Sequence, residues 1–190
     1  MGNSATRKKA AFERHELIRS KTARLKLPPD QRLRFVADVM LGRLAKWLRI
    51  AGFDVLYSNR FTDDELIETA LREDRVLLSR DTRLLIRKPV EKFLFLESQE
   101  IRKQIEQVFA SLRIRTLDSF LKRCPSCNDL LVETEKESVR NSVPVFVYKT
   151  QPAFKSCPGC GKIFWAGTHR TLLMRTLQTA ISDKKTMRPC

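Results

Sequence analysis

Two short apolar runs in the first half of the chain each lead into an aspartate. The first run ends at Asp38 and the second at Asp81, while Asp63 and Asp64 lie between them at the start of a predicted helix. Carboxylate oxygens are the ligands that hard cations such as Mg²⁺ and Mn²⁺ prefer. A metal held in this way activates water and offsets charge on the phosphate in phosphodiester hydrolysis. We therefore predict that the four acids are catalytic and that Asp38 and Asp81 bind Mg²⁺ or Mn²⁺.

Each of these acids also has a simpler interpretation. Asp63 and Asp64 fall in a first helical turn, where the helix dipole favours any acidic residue. Asp38 suits the N-cap of the helix that follows it, and Asp81 suits a turn after its strand. The metal site is favoured because the acids are predicted to meet at one edge of a sheet, where ligands of open α/β folds bind.

Three arginines and a histidine are candidate substrate-binding residues. Arg43, Arg49 and Arg80 are close to the acids in the sequence, and arginine binds phosphate bidentately. Arg43 is the preferred candidate because it follows Asp38 by a little over one helical turn. His169 has a side chain suited to phosphate binding or proton transfer. For all four residues, an ion-pairing or packing role is the competing interpretation.

Four of the five cysteines form two Cys-x-x-Cys pairs, which are Cys124, Cys127, Cys157 and Cys160. Four thiolates in two knuckles suit tetrahedral Zn²⁺, and such a closed site is structural rather than catalytic. A pair of redox dithiols is the alternative, which the prolines and glycine inside the knuckles disfavour. This cysteine usage indicates an intracellular, reducing compartment, namely cytoplasm, nucleus or organelle matrix.

The segments that must position the acids alternate between strand and helix. Strands are predicted at 34–37, 53–57, 76–78 and 93–96, and helices at 40–51, from 63 and at 101–112. A further strand-like run at 145–148 lies between the two cysteine pairs. Strands that are apolar throughout are typical of a parallel sheet with helices on both faces. Right-handed crossovers then bring the C-terminal ends of all strands to one edge. Gly52 is predicted to cap one helix and Thr62 with Glu65 to form a capping box on the next.

Charge divides the chain of 190 residues into three parts. The net charge of +15 is composed of +7 in residues 1–34, +1 in residues 35–120 and +7 in residues 121–190. Basic segments on both sides of a nearly neutral centre indicate a polyanionic partner, most often nucleic acid. The predicted organisation is a basic N-terminal arm (1–33), an α/β domain (34–121), a zinc ribbon (122–170), and a C-terminal helix with a tail (171–190).

The N-terminal arm has loosely helical spacing of apolar residues and ends at Pro28-Pro29. A basic helix of this kind is able to lie on RNA, on an anionic membrane or on its own domain. No apolar run approaches the roughly 20 residues that cross a bilayer, so no transmembrane segment is expected. The first six residues fit the short myristoylation pattern, which occurs often by chance, so no lipid anchor is expected.

Five motifs in this order resemble the Mut7-C RNase domain. They are Phe35-x-x-Asp38-x-Met40-Leu41-Gly42-Arg43-Leu44-Ala45, Leu48-Arg49-x-x-Gly52-Phe53-Asp54, Ser79-Arg80-Asp81, Arg123-Cys124-x-x-Cys127-Asn128, and Cys157-x-x-Cys160-Gly161-Lys162-Ile163-Phe164-Trp165-x-Gly167-x-His169. The resemblance spans about residues 34–175. It implies a PIN-like α/β domain with a small zinc ribbon held by four cysteines, and metal-dependent ribonuclease activity.

The same resemblance implies an acidic site made of Asp38, Asp81 and one of Asp63 or Asp64. PIN-like nucleases usually have a fourth acid, for which Glu97 after the fourth strand is the available residue. The alternative to a nuclease is a catalytically inactive RNA-binding or structural subunit of a ribonucleoprotein assembly. A toxin of a toxin–antitoxin pair is a third, weaker option.

Overall fold

The computed structural model describes residues 4–23, 33–87, 90–114, 120–166, 174–175 and 177–179. The helices are α1 (Ser4–Ala23), α2 (Gly42–Ile50), α3 (Asp63–Arg72), α4 (Thr82–Leu85), α5 (Ile101–Ser111) and α6 (Val145–Thr150). The strands are β1 (Arg34–Ala37), β2 (Asp54–Tyr57), β3 (Val76–Ser79), β4 (Phe93–Phe95), β5 (Val132–Thr134), β6 (Phe154–Ser156) and β7 (Ile163–Trp165). Short 3-10 helices span Val39–Leu41 and Glu137–Val139.

The first four strands form a parallel sheet in the order β2-β1-β3-β4. The chain moves outward from β1 to β2, crosses back to β3 and continues to β4. The direction of winding therefore reverses between β1 and β3, and ligands of open α/β sheets bind outside the strand ends at such a switch point. The predicted α/β fold with a parallel sheet is confirmed.

Alternate residues of the strands pack into two layers, one on each face of the sheet. Phe35 and Ala37 join the core beneath α2 and α5, whereas Val36 joins the core beneath α1, α3 and α4. Strands buried on both faces need apolar side chains at every position, which explains their uninterrupted apolar runs. Helices on both faces of the sheet are thus observed as predicted.

Both predicted helix caps are present. Gly52 has a φ of 100°, the left-handed conformation that glycine adopts without steric cost, and it directs the chain from α2 towards β2. Thr62 and Glu65 form a reciprocal capping box at the start of α3. The hydrogen bonds from the backbone and side chain of Thr62 lower the pKa of Glu65.

Helix α1 docks on the α/β domain, so the third of the three predicted alternatives for the basic arm is observed. The side chain of Ile18 is fully buried in the core shared by α3 and α4. His15 lies edge-on to Phe95, with ring centroids 5.1 Å apart, and Arg19 forms an ion pair with Glu97. None of the helices in the described ranges has the length and apolar character required to span a bilayer.

The small second sheet is antiparallel, in the order β5-β6-β7, and it follows the first cysteine pair. Its core consists of Val139, Val143 and Phe154, with Val147 and Trp165 packed against them. Residues 145–148 were predicted to be strand-like, and that prediction is wrong because they begin helix α6. Pro144 is the N-cap of this helix, and Val147 and Tyr148 of the run pack against the ribbon core.

Little of the predicted C-terminal helix and tail falls within the described residues. Residues 174–175 and 177–179 are helical, and Leu177 is fully buried in the core beneath α2 and α5. His169 lies outside the described residues, so its predicted role remains a prediction.

The docking of α1 can be tested with two neighbouring substitutions. We expect Ile18→Ala to lower the free energy of unfolding by about 2–5 kcal/mol, because it leaves a cavity between α1 and the sheet. Leu17→Ala is the matched control, since Leu17 is 48% exposed and its truncation should change that free energy by less than about 0.5 kcal/mol. Urea unfolding measures both, and equal small effects would contradict the docking.

Candidate active site and metal centre

Asp38 and Asp81 are brought together by one hydroxyl group at the switch point of the sheet. Ser79, the last residue of β3, donates its Oγ–H to Asp38 Oδ2 across 2.5 Å. The same Oγ accepts a hydrogen bond from the backbone N–H of Asp81 at 2.8 Å. Asp38 is held in addition by its own N–H, which donates to Leu78 O of β3 at 3.0 Å. The two predicted metal-binding acids therefore lie at neighbouring strand ends, as the parallel sheet predicted.

These two acids differ in exposure and in their backbone role. Asp38 is 5% exposed, whereas Asp81 is half-buried and its carboxylate accepts the N–H of Arg83 at 2.7 Å, which caps α4. Mg²⁺ commonly uses one or two carboxylates and retains several water molecules. The oxygen donors of these two acids are of the kind that Mg²⁺ and Mn²⁺ prefer.

The structure does not add Asp63 or Asp64 to this pair. Both carboxylates form ion pairs with Arg87 at the end of α4, Asp63 at 3.9 Å and Asp64 at closer range. Their side chains are 59% and 82% exposed. Among the described residues, no three carboxylates place oxygen atoms within 4.8 Å of one another. A third acid at the metal site therefore remains a prediction.

Glu97 follows β4 and lies at the same edge of the sheet as the two aspartates. Leu96 N donates to Ser79 O at 2.9 Å, which fixes the strand end next to Ser79. The Glu97 carboxylate accepts two hydrogen bonds from Arg19 of α1, at 2.9 and 3.1 Å. The available fourth acid is thus paired with a cation from the N-terminal helix.

The three arginines predicted to bind substrate occupy different places. Arg80 is half-buried directly beside Asp81, and its Nε is buried with no hydrogen-bond partner among the described residues. Arg43 is exposed in the first turn of α2, at the edge of the sheet where Asp38 lies. Both positions are compatible with a contact to phosphate.

The prediction for Arg49 needs correction. Its side chain is 5% exposed and its Nε donates to Val55 O at 2.9 Å, while Nη1 donates to Ser126 O at 2.9 Å and Pro125 O at 3.3 Å. Helix α2 carries the chain from the acidic edge to the opposite edge, so Arg49 lies at the wrong end of the helix to contact substrate. It fastens the first cysteine knuckle to the sheet.

Tyr57 holds the first turn after Asp38 in place. Its hydroxyl donates to Val39 O at 3.1 Å, and its ring lies directly against Gly42. A Cβ at position 42 would stand 2.5 Å from the hydroxyl oxygen, so this approach requires the absence of a side chain. The glycine after Leu41 thus has a packing role next to the candidate active site.

The four cysteines of the two knuckles converge on one point. Their sulfur atoms all lie within 4.8 Å of one another, with Cys124 Sγ 3.6 Å from Cys160 Sγ and Cys127 Sγ 3.2 Å from Cys157 Sγ. Tetrahedral zinc with Zn–S bonds of about 2.3 Å needs sulfurs roughly 3.8 Å apart. Among the described residues this is the one group of three or more candidate ligands that could hold a metal ion.

The thiols interact strongly with each other. Burial raises the pKa of Cys127, and hydrogen bonding to Cys157 raises it further, to about 12. Burial also opposes ionisation of Cys157, but hydrogen bonds with Cys127 and from the backbone of Cys160 outweigh that effect and lower its pKa to about 7. One thiolate forms readily, and its negative charge then disfavours ionisation of the remaining thiols. Four thiolates together therefore require a cation.

Two side chains bind the backbone N–H and carbonyl of Val55 and so connect the first knuckle to the edge strand β2. Asn128 Oδ1 accepts the N–H of Val55 at 3.0 Å, and Arg49 donates to the carbonyl of the same residue. Asn128 has a φ of 78° and is buried, a left-handed conformation that asparagine tolerates well. The cysteine knuckle therefore completes the hydrogen bonding of the sheet.

Asp54 is the centre of an ionic network beneath this junction. Its carboxylate accepts hydrogen bonds from Arg75 and from Asn128, both at 2.8 Å, and from Arg123 at 3.4 Å. Burial alone would raise the pKa of Asp54, but these hydrogen bonds and the two guanidinium charges outweigh it and hold the pKa below its ordinary value of 3.8. Arg75 also donates to Phe35 O at 3.1 Å, so the network joins β1, β2, β3 and the knuckle.

Sequence reasoning found the acids and cysteines but missed the residues that position them. Ser79, Asp54 and Asn128 each belong to a motif quoted above, and none was assigned a role. A polar residue at the end of an apolar strand, as at Ser79, was the available signal. Its partner depends on the pairing of β1 with β3, which the sequence does not specify.

We expect metal binding at the cysteine cluster to stabilise the whole chain. With free Zn²⁺ about a thousandfold above the dissociation constant, binding adds about 4 kcal/mol, or roughly 8–16 °C in Tm for a chain of this size. Cys124→Ser should remove most of this gain, and Cys190→Ser is the control because Cys190 belongs to neither knuckle. Zinc content and thermal unfolding measure the effect, and a Cys124→Ser protein with unchanged Tm and zinc content would contradict it.

The Asp54 network predicts a specific dependence of stability on pH. Because the folded-state pKa of Asp54 is lowered, its contribution is complete above pH 3.8 and is lost as the pH falls through the folded-state pKa. Asp54→Asn should lower the free energy of unfolding by about 3 kcal/mol at neutral pH, since it leaves Arg75 without this charge partner. The deficit should shrink below about pH 4.

Asp74→Asn is the control for this measurement. Asp74 is 72% exposed and has a φ of 51°, which asparagine also adopts, so its substitution should have little effect at any pH. Both variants keep the four thiols, so proton-linked loss of metal affects them equally. A deficit for Asp54→Asn that does not change with pH would show that the charge of Asp54 is not the cause.

Comparison with known proteins agrees with the motifs and the geometry. No curated protein and no solved structure matches the chain. A family model described as the Mut7-C RNAse domain matches residues 33–177, which is about three quarters of the 190 residues. The matched segment contains the parallel sheet, Asp38, Asp81 and both cysteine pairs, and it begins after α1. The chain therefore belongs to the Mut7-C RNAse domain family.

Proposed function

We propose that this protein is a metal-dependent ribonuclease that hydrolyses RNA phosphodiester bonds at the edge formed by the ends of β1 and β3. The observation that supports the proposal most directly is the hydroxyl of Ser79, which joins Asp38 and the backbone of Asp81 at the switch point. The ribonuclease family of the matched model supports RNA as the substrate.

Each residue at this edge has a defined part in the proposed reaction. Asp38 and Asp81 hold Mg²⁺ or Mn²⁺, and Ser79 fixes the orientation of the Asp38 carboxylate. Arg80 and Arg43 bind phosphate with their guanidinium groups, and the buried Nε of Arg80 has no hydrogen-bond partner among the described residues. The metal, when bound, supplies an activated water molecule and offsets negative charge on the phosphate. The two basic parts of the chain attract the polyanion to this edge.

We also infer that the cysteine cluster binds zinc and that the protein works in a reducing intracellular compartment. Zinc is the common occupant of a site with four thiolates, and the closed set leaves no position for substrate. Four cysteines with converging sulfur atoms would otherwise be prone to disulfide formation in an oxidising environment. The zinc ribbon then serves the fold rather than the chemistry.

An inactive RNA-binding subunit of a ribonucleoprotein is the second candidate function. The specific observation in its favour is that the other acids near this edge are neutralised by arginines. Asp63 and Asp64 pair with Arg87, and Glu97 pairs with Arg19. Two carboxylates are fewer than a nuclease of this type usually provides. Both candidates bind RNA, so only cleavage distinguishes them.

The decisive experiment compares RNA cleavage by the wild-type protein with cleavage by Asp38→Asn and Asp81→Asn in Mn²⁺. We expect each variant to lose roughly a hundredfold or more in kcat/KM, about 2.7 kcal/mol of transition-state stabilisation, because an amide is a poor metal ligand. Asparagine keeps an oxygen that can accept from Ser79 Oγ or from Arg83 N, so both variants should fold.

Asp74→Asn is again the matched control, because this exposed acid follows α3 and lies at the opposite edge of the sheet. It should cleave RNA at the wild-type rate. Wild-type protein that binds RNA with a steep salt dependence yet never cleaves it in Mg²⁺ or Mn²⁺ would establish the second candidate instead. Full activity in both Asp38→Asn and Asp81→Asn would reject the proposed site.

A further inference from the structure

Helix α6 in the zinc ribbon presents two large apolar side chains to solvent. Phe146 is 76% exposed and Val145 is 68% exposed, although both lie in the first turn of a helix whose residues Val147 and Tyr148 pack against the ribbon core. An aromatic ring that the fold does not bury has no part in the stability of the ribbon. Phe146 therefore needs another explanation.

Lys149 is a neighbour of Phe146 on the helix, and two further cations lie near Tyr148 of the same helix. Lys149 is exposed at the third position after Phe146, so the two side chains are neighbours on the helix surface. Lys136 Nζ lies 5.1 Å from the centre of the Tyr148 ring, and the charge of Arg140 acts on the Tyr148 hydroxyl. The nearby acid, Glu137, accepts a hydrogen bond from that hydroxyl at 2.7 Å.

The charge balance of this surface is positive. From Lys136 to Thr150 the chain has three cations and one carboxylate, that of Glu137. Among the described residues, neither Arg140 nor Lys149 forms an ion pair, so both charges are available to a ligand. An exposed ring flanked by unpaired cations is the combination by which proteins bind unpaired bases together with their phosphates.

We propose that Phe146, Lys149 and Arg140 form a binding surface for single-stranded RNA, which we call the α6 surface. A base stacks on the Phe146 ring, and Lys149 and Arg140 bind the adjoining phosphates. Stacking requires a base that is free of a duplex, so the surface selects single strands. This inference rests on the proposed function for the identity of the ligand, and it extends that function to a second contact outside the candidate active site.

A protein partner would be the alternative occupant of an exposed Phe-Val pair. The charges favour RNA, because burial of Phe146 in an apolar protein interface would also cover Lys149 without providing a partner for it. A polyanion gives each exposed cation a partner and leaves the zinc knuckles untouched.

The test measures binding of a fluorescein-labelled uridine oligomer of about 12 nucleotides by anisotropy. No divalent cation is added, so cleavage does not contribute and no chelator removes zinc. We expect Phe146→Ala to raise Kd about tenfold and Phe146→Tyr to leave it within about twofold. Lys149→Gln should reduce the slope of log K against log salt by about 0.7.

Phe12→Ala is the matched control, since Phe12 is also a largely exposed phenylalanine, at 64%, but lies on α1. Its Kd should equal that of the wild type. Binding to a duplex of the same length should not depend on Phe146. An unchanged Kd for Phe146→Ala, or an equal loss for single strand and duplex, would overturn the α6 surface.

The outcomes also separate this inference from the proposed nuclease. If the wild type cleaves RNA in Mn²⁺ and Phe146→Ala binds the oligomer normally, only the α6 surface is rejected. If Phe146→Ala loses binding and the wild type never cleaves, the α6 surface stands and the nuclease is rejected. If Phe146→Ala instead loses self-association in sedimentation with RNA binding intact, the α6 surface is rejected as an RNA site and binds a second copy of the chain.

Discussion

The backbone of Val55 in the edge strand β2 needs partners that no neighbouring strand supplies, and the first cysteine knuckle provides them. Asn128 accepts its N–H and Arg49 donates to its carbonyl, while Arg49 also binds two carbonyls inside the knuckle. Buried backbone groups without partners are costly, so this arrangement couples the sheet to the geometry of the knuckle. The first cysteine knuckle is thus part of the structural support of the sheet, rather than a separate appendage.

The two edges of the parallel sheet serve different purposes. At the edge where the strands begin, Asp54 and Arg75 join the strands to the knuckle by ion pairs and hydrogen bonds. At the edge where the strands end, the polar groups of Asp38 and Ser79 face each other, and Arg80 has a buried nitrogen without a partner in the described part of the chain. Ionic support at one edge and a polar group without a partner at the other is a division that suits the proposed site for metal and phosphate.

The predictions that rested on local spacing were confirmed, namely the four apolar strands, the capping box of Thr62 and the convergence of the cysteines. The predictions that failed concern residues whose position depends on the length or the packing of a whole element. Arg49 follows Asp38 closely in sequence, but the nine residues of α2 rise about 13 Å and place it at the other edge. The β-branched residues of the apolar run from Val145 predict a strand, whereas packing on Phe154 selects a helix.

Both outer strands of the sheet are closed by carboxamide side chains, Asn128 on β2 and Gln107 on β4. Gln107 Nε2 donates to Phe95 O at 2.8 Å, and its Oε1 accepts the N–H of Glu97 at 3.2 Å. Open strand edges are templates on which other chains add and aggregate. The Gln107 closure is built into α5, whereas the Asn128 closure depends on the first cysteine knuckle, which we propose to be organised by zinc. Oxidation of the thiols would therefore turn a folded chain into one that is prone to aggregate along β2.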